Sequence, residues 1–567
     1  MEGYDIHPSR AQVSRASIQR LYIAMRHLFI RGGYKPLGVS GEAMINAMLS
    51  LKPEIYGSIA DDERVELTGL LYIFQRLPQG IEQCRYIKLI GREGFEKTHF
   101  TPIIPSKRRR NCYRIDEEQM FIEMTRGRSD IYDVLTHLTF MYIESEKIRR
   151  NSMDSKNRKN RAWLMLEKII ERLYKGEDFN KEVGYTYLST ILGRTYEETS
   201  AACDQFEEAS KVNNIFEITY WMGKLSIDEY LEEKDREITF SSSLREKLGH
   251  HVYGEKWASN IKSFIYDHGW QDRKVHIISS NLHSVMNAIY AKMALREHFN
   301  GDSLEDIAEE LSIENNHRLR DMVHDYALDH GMYEISDNSG TNITVQLFDC
   351  ADIHEKQLLD ELGSGIKVDE NSLIIVMDYA FGEQAYESMD ELLKPFEFNG
   401  TSIPFNVSSI NIMGKAGILC GDKGDILIPS AHVFEGSADN YPIDNLLKVD
   451  MFQDEEIKVY EGPMITVLGT SLQNKDILRY FMNSSWRMIG LEMEGAHYQK
   501  AIQSASKIRH SVNADIELRY AYYASDNPLE TGSTLASGSL GLDGVKPTYM
   551  ITTQILKGIF NRNSSGQ

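Results

Sequence analysis

Two acidic strings hold the residues of this chain best placed to do chemistry. Ile489-Gly490-Leu491-Glu492-Met493-Glu494-Gly495-Ala496-His497-Tyr498 runs a short apolar approach into two carboxylates around a methionine, and a small-residue pair and a helix follow. Leu518–Ala524 is a largely apolar, aromatic run of strand type that ends in Ser525-Asp526-Asn527-Pro528. One carboxylate therefore opens a helix and another stands at the end of the next strand. In open α/β folds ligands bind at the carboxyl ends of strands, so acids in such places are either paired structural groups or working groups of a site. Two other clusters compete. Lys107-Arg108-Arg109-Arg110 is the densest basic run, readable as a solvated loop or as an anion site for a phosphate or nucleotide effector. His250 and His251 stand near His268 and His276, but the spacing matches no metal pattern and HExxH is absent, so no metal site and no cofactor are expected.

A sheet must position the two acids. Past the turn-rich Ser336–Asn342, strands and helices alternate. Ile343–Phe348 reads as a strand, and Ser372–Met377 is an almost continuous apolar run of the kind buried on both faces. Gly382–Leu393 reads as a helix and Val407–Met413 as a strand that turns through Gly414-Lys415-Ala416-Gly417. Asp425–Pro429 is a further short strand. This alternation predicts an α/β domain, a mostly parallel sheet with flanking helices. The chain before it reads as a large, mainly α region. Ala16–Leu28 sets Ile18, Leu21, Ile23, Ala24 and Leu28 on a broad apolar face, and 40–51 and 64–76 also look helical. Asn151–Lys159 is a polar linker or exposed turn. Trp163–Tyr174, Tyr185–Leu192, Glu197–Ala209 and His283–His298 return to helical periodicity. Ser303–Leu311 with Arg318–Leu328 reads as a plain helical pair rather than a DNA-binding one. The expected organisation is a helical domain over 1–150, a second helical region over 151–336 and the α/β domain over 337–567.

Bulk properties exclude several classes. The net charge of −21 over 567 residues argues against a broad nucleic-acid surface. No apolar run is long enough for a membrane span, and Met1-Glu2-Gly3-Tyr4-Asp5 lacks the apolar core of a signal peptide. Five scattered cysteines with no CxxC pair fit a reducing cytoplasm.

Glu492-Met493-Glu494-Gly495-Ala496 followed by strand-Ser525-Asp526 resembles the signature of the nucleoside phosphorylase and nucleosidase superfamily. Gly414-Lys415-Ala416-Gly417 and Gly424-Asp425-Ile426-Leu427-Ile428-Pro429 resemble its Gly-x-x-Gly turn and Gly-Asp strand. The detail is most similar to AMP nucleosidases, through Gly414–Leu419, Glu435-Gly436-Ser437-Ala438-Asp439-Asn440-Tyr441-Pro442, Asp526–Leu529 and Gly544-Val545-Lys546-Pro547-Thr548. The resemblance covers residues 370–557. It implies that Glu494 holds the ribose hydroxyls, that Met493 lies against the sugar and that Asp526 protonates the leaving purine. It places Gly414, Lys415, Gly417, Ser525, Glu435 and Tyr441 around the substrate. It also implies a small nucleotide or nucleoside as partner and a homo-oligomer. Asn411 and Lys415 stand where phosphorylases keep an Arg and a Ser for inorganic phosphate, so hydrolysis is favoured over phosphorolysis. Thr470-Ser471-Leu472-Gln473-Asn474-Lys475 lacks the Arg and Trp of the AMP nucleosidases.

Cleavage of an N-ribosyl bond builds positive charge on the sugar and negative charge on the leaving base, so it asks for these residue types. Lys415 suits a 5′-phosphate as a point charge. Glu435, Asp439 and, more weakly, Glu383 are the candidates to activate water. The plainer readings are that Glu492 is structural, that His497 packs, that Cys420 is a buried small apolar residue, that Tyr522 and Tyr523 fill the sheet and that Tyr441 packs at the surface. A phosphate-dependent phosphorylase, or a nucleotide-binding regulator with a helical sensor or assembly region, are the alternatives to a hydrolase.

Overall fold

The computed structural model describes residues 9–209, 214–299, 301, 303–353, 362, 366–437, 439–452, 454, 456–530 and 540–560. Met1–Asp5 and Ala438 lie outside the described residues. The chain divides into two compact units, Met1–His250 with Ser471–Ile477, and His251–Thr470 with Leu478–Gln567. By contacts the chain divides after His250, whereas the boundaries expected from the sequence lie at 150 and 336.

In the first unit the predicted helices form, each somewhat longer or shorter than read. Ala16–Leu28 is the middle of Arg10–Arg31, which Ser9 and Gln12 open with a reciprocal capping box and Gly32 closes at φ +93°. The unit is nevertheless not purely helical. Five strands, β1 Gly33–Tyr34, β2 Tyr86–Ile90, β3 Cys112–Arg114, β4 Gln119–Glu123 and β5 Glu237–Phe240, form a sheet in the order β1-β5-β2-β4-β3. The inner strands β5, β2 and β4 are parallel and the edges antiparallel. Strands this short give too few alternations to stand out from their helical surroundings. The helix Gly127–Ser152 is buried almost all round, with Asp130, His137 and Glu144 inside beside Ile131, Leu135 and Leu138. Its inward polar residues blur the stripe that marks a surface helix.

The basic run also differs from a solvated loop. Arg108 forks onto Asp133 with two bonds of 2.9 Å. Arg110, 3% exposed, pairs with Asp130 at 2.7 Å and with Asp133 at 2.5 Å.

The second unit is built on a ten-stranded sheet. Its strands are β6 Lys274–Ser279, β7 Met332–Ile335, β8 Val345–Asp349, β9 Ser372–Met377, then, after a separate hairpin of β10 Phe396–Phe398 and β11 Thr401–Ile403, β12 Asn406–Ile418, β13 Ile426–Phe434, β14 Asn440–Pro442, β15 Val459–Thr466, β16 Gly490–Glu492 and β17 Glu517–Asp526. The order is β14-β13-β15-β16-β12-β6-β9-β8-β7, and β17 pairs with both β12 and β13. β13, β15, β16, β12 and β17 therefore close a ring, while β6 and β9 extend it in parallel from β12.

Helices cover both faces. Leu373 and Ile375 of β9 join Ile261, Met389, Tyr498 and Ile502 in one core, and Ile374 and Val376 join Ile289, Ile307, Ile551 and Ile555 in the other. That is why Ser372–Met377 reads as a continuous apolar run. β6 extends the sheet into the stretch expected to be helical, because its buried Val275–Ile278 has meaning only beside β9 and β12, far away in sequence. Leu304–Ser312 and His317–Asp329 send Leu304, Ile307, Val323 and Ala327 into the second core, as a plain helical pair does.

Three local expectations change. Gly414–Gly417 is not a turn: β12 runs on to Ile418, pairing Gly414 with Tyr522 and Ala416 with Ala524, and it shifts register only between Ala416 and Gly417. Gly414 allows a close approach, since a Cβ there would stand 3.1 Å from the Tyr522 ring, which would have to give by a few tenths of an ångström. Asp425–Pro429 is only the start of β13. Cys420 is exposed rather than buried, because it lies in the turn after β12.

Candidate active site

The Glu492-Met493-Glu494 string is a strand end that becomes a helix. β16 stops at Glu492 and the helix Gly495–Gln503 begins three residues later. The first amides of a helix have no partner within it. Here the Glu492 carboxylate takes them: its Oε2 accepts from the N–H of Glu494 at 2.5 Å and from that of Gly495. The Thr466 hydroxyl donates to Glu492 Oε1 at 2.5 Å and accepts from the N–H of Ala496 at 3.0 Å. Glu492 is 2% exposed, and burial, with Glu494 beside it as a like charge, pushes its pKa up to about 8 against these hydrogen bonds. Glu492 thus organises the turn, as its plainer reading held.

Glu494 is thereby held at the helix mouth, half-buried, with Met493 half-buried next to it. Its Oε1 accepts from the N–H of Gly382 at 2.8 Å. Gly382 lies in the turn after β9 at φ +55°, a conformation that favours glycine.

Asp526 is the last residue of β17 and has no solvent exposure. Ser525 Oγ donates to Asp526 Oδ1 at 2.7 Å and also reaches the Ala416 carbonyl at 3.2 Å. Oδ2 is buried and without a hydrogen-bond partner among the described residues. Burial raises the carboxyl pKa above its ordinary value, outweighing Ser525 and the more distant Lys415 and Lys423. A buried polar atom left without a partner costs about 1–3 kcal/mol.

Strand register brings the two acids to one edge. Gly417 of β12 pairs with Leu491 of β16 on one side and with Asp526 of β17 on the other. Adjacent strands lie about 4.8 Å apart, so the backbones of Asp526 and Leu491 are roughly 10 Å from one another across Gly417. Glu494 follows Leu491 by three residues. The carboxyl ends of β13 and β15 arrive in step, because Phe434 pairs with Thr466 and Thr466 with Glu492.

The other expected residues fall as follows. Glu435, 3% exposed, follows Phe434, and its N–H donates to the Thr466 carbonyl at 3.0 Å. Tyr441 is half-buried on β14 with its ring edge-on to Phe434, and Phe434 in turn meets His497. Lys415 points out from β12. Asp439 is exposed and takes the Ser437 hydroxyl at 2.9 Å. Asn411 is buried within the sheet, donating to the Ile277 carbonyl at 3.0 Å. Tyr522 fills the core, as expected of it.

Two residues of this neighbourhood were not legible as site residues. Thr466 ends a strand that Gly462-Pro463 interrupts in sequence. His432 lies fully buried in β13, with Nε2 3.0 Å from the Tyr522 hydroxyl, and burial lowers its pKa to about 3. A Cβ on Gly495 would stand 2.3 Å from the His432 ring, so the small residue after Glu494 is a packing requirement.

Comparison with known families now applies. The model of a family of unknown function, DUF6909, matches residues 42–314 and 311–561. The chain belongs to that family. No curated protein matches it. Among solved structures, a futalosine hydrolase mutant of Helicobacter pylori is similar at 14% identity, over 51% of this chain and 99% of that one, with a TM-score of 0.29. Uridine phosphorylase from Schistosoma mansoni in complex with thymidine is similar at 14% identity, over 53% and 92%, with a TM-score of 0.32. Arabidopsis thaliana 5′-methylthioadenosine nucleosidase is similar at 12% identity, over 52% and 98%, with a TM-score of 0.27. No helix among the described residues of this DUF6909 member is long and apolar enough to cross a membrane.

Proposed function

We propose that the second unit hydrolyses the N-glycosidic bond of a purine nucleotide or nucleoside, in the manner of AMP nucleosidases, releasing the base and ribose or ribose 5-phosphate. The observation that carries this reading is Asp526 Oδ2, a buried carboxyl oxygen without a partner at a strand end that Gly417 joins to the Glu494 strand.

In this reading the Ser525 hydroxyl donates to Oδ1, so the acid proton sits on Oδ2 and faces the departing base. The electron pair of the C1′–N bond goes to the base as Asp526 gives it the proton. Proton transfer by a placed acid contributes typically about 10²–10⁴-fold. Glu494, oriented by Gly382, accepts from the ribose hydroxyls and stabilises the cationic sugar, with Met493 against it. Water then bonds to C1′, and Glu435, at the end of β13, takes its proton. Of the candidate bases it is favoured over Asp439, which is exposed and bonded to Ser437. Gly414, Gly417 and Tyr441 shape the surroundings, and Lys415 attracts a 5′-phosphate.

Base release from AMP, adenosine, inosine, GMP and methylthioadenosine, followed by chromatography with and without inorganic phosphate, tests this. Phosphate-independent release from at least one of them is expected. Release only with phosphate makes the unit a phosphorylase, and no release from any of them overturns the reading.

A further inference from the structure

The first unit holds a group of buried charges of which the second unit's proposed chemistry makes no use. Arg76 follows the helix Leu67–Phe74 and is 7% exposed. Its guanidinium lies 3.5 Å over the Tyr72 ring, and Nη1 donates to the Tyr72 carbonyl at 2.9 Å. Among the described residues its Nε is buried and without a hydrogen-bond partner, as is the hydroxyl of the 8%-exposed Tyr72. Among the described residues Arg76 forms no ion pair.

The neighbouring carboxylates are engaged elsewhere. Asp133 takes Arg108, Arg110 and, at 3.2 Å, His137; Asp130 takes Arg110. Arg110 is bonded to the Arg76 carbonyl at 3.3 Å, so the group is contiguous. Burial lowers the pKa of His137 against the opposing pull of Asp133. Among the described residues the guanidinium groups of Arg76, Arg108 and Arg110 thus stand with the carboxylates of Asp130 and Asp133, and Arg126 at the N-cap of Gly127–Ser152 also feels Asp130. A buried cation without a counter-charge is costly, and Arg76 has no counter-charge bonded to it among the described residues.

We propose that Arg76 is the floor of a binding site for a small oxyanion, a phosphate or carboxylate group of a soluble molecule. With one face on Tyr72 and Nη1 engaged, the guanidinium keeps its Nε edge for an in-plane oxyanion, the geometry in which arginine makes paired bonds. The Tyr72 hydroxyl is a further donor. The rim is basic: the loop that carries the exposed Lys107 is bonded to the Gln75 carbonyl, one residue before Arg76, through the Lys107 N–H at 2.9 Å and the Ser106 hydroxyl at 3.1 Å. Entry from the Lys107 side therefore leads a negative group down onto Arg76.

The test is calorimetric titration and thermal unfolding of the full chain at constant ionic strength. The probes are inorganic phosphate, glycerol 2-phosphate and succinate, with chloride as control. Saturable binding of a phosphate probe or of succinate, with a rise in Tm that chloride does not produce, is expected, and which probe binds decides between phosphate and carboxylate. Arg76→Met should weaken binding at least tenfold and leave the Tm without anion equal to or above that of the parent. Lys107→Ala should fold normally and weaken binding about threefold, and it stands in should Arg76→Met not fold. No saturable binding of any probe to the parent chain, or undiminished binding by Lys107→Ala together with a Tm loss in Arg76→Met that anion does not alter, would overturn the proposal.

Discussion

Asp133 in the first unit and Asp526 in the second are both buried aspartates, and the structure drives them in opposite directions. Asp133 is surrounded by Arg108, Arg110 and His137, which hold its carboxyl well below the usual range although burial opposes them. Asp526 has a serine on one oxygen and, among the described residues, no partner on the other, and burial raises its pKa. Burial alone therefore does not decide what a carboxylate does. A buried acid beside guanidinium is a fixed negative charge that cements a core, whereas a buried acid beside a hydroxyl alone is shifted toward its protonated form. The first unit spends its acid on cohesion, and the second leaves its acid unpaired at the end of a strand.

That contrast can be broken from either side. The largest effect is expected for Asp526→Asn: base release should fall by about 10²–10⁴-fold in the chromatographic assay while Tm stays level or rises, since the amide removes only a proton donor. A large loss of Tm with activity retained would place Asp526 with Asp133 as a structural group. Asp133→Asn should do the reverse. Leaving Arg108 and Arg110 buried without their partner should cost about 3–5 kcal/mol in urea unfolding, with the base-release rate of the folded fraction unchanged.

Glu492→Gln sharpens the comparison through pH. The folded pKa of Glu492, about 8, lies above its unfolded value of about 4.3. Between those values the folded chain holds the extra proton, so this group's contribution is fully present below the unfolded pKa and is lost as pH rises through 8. The slope from this group is at most about 1.4 kcal/mol per pH unit. The glutamine mimics the protonated acid, so unfolding measured between pH 5 and 8 should show a flatter decline than the parent. An unchanged slope would mean that Glu492 is ionised in the fold.

The smallest effect belongs to Lys415→Met. An exposed charge contact is worth about 0.2–1 kcal/mol, so KM for a 5′-phosphorylated substrate should rise by up to about fivefold with that for the nucleoside unchanged. An equal change for both would remove the 5′-phosphate from its role.

Much of the second unit could be read without coordinates because its signals are local. Ser372–Met377 is a strand with the limits its apolar run suggested, and Leu518–Ala524 forms β17 within one or two residues of the expected limits. Glu494 and Asp526 were visible as a helix opening and a strand end. That their strands flank the same residue was not, because it depends on Gly417 pairing with two strands from opposite sides, and pairing partners leave no mark in a single strand's composition. Gly414–Gly417 looked like a turn because two glycines usually mark one. Only the Tyr522 ring and the β17 ladder show that they let a strand pass close to its neighbours.

In the first unit the balance shifts further. Amphipathic helices such as Arg10–Arg31 announce themselves through periodicity, a property of consecutive residues. The short parallel strands β2, β4 and β5 do not, since each is stabilised by partners from distant parts of the chain. Charge behaves likewise. The amino-acid order determined that four basic residues stand together at Lys107–Arg110 and that two acids flank Met493. Only the tertiary structure decided that Arg108 and Arg110 turn inward onto Asp133, and that Asp526 is buried with an oxygen left bare. The residue types are local facts, but a pKa and a partner are set by which surfaces are brought together and by how much water is excluded between them.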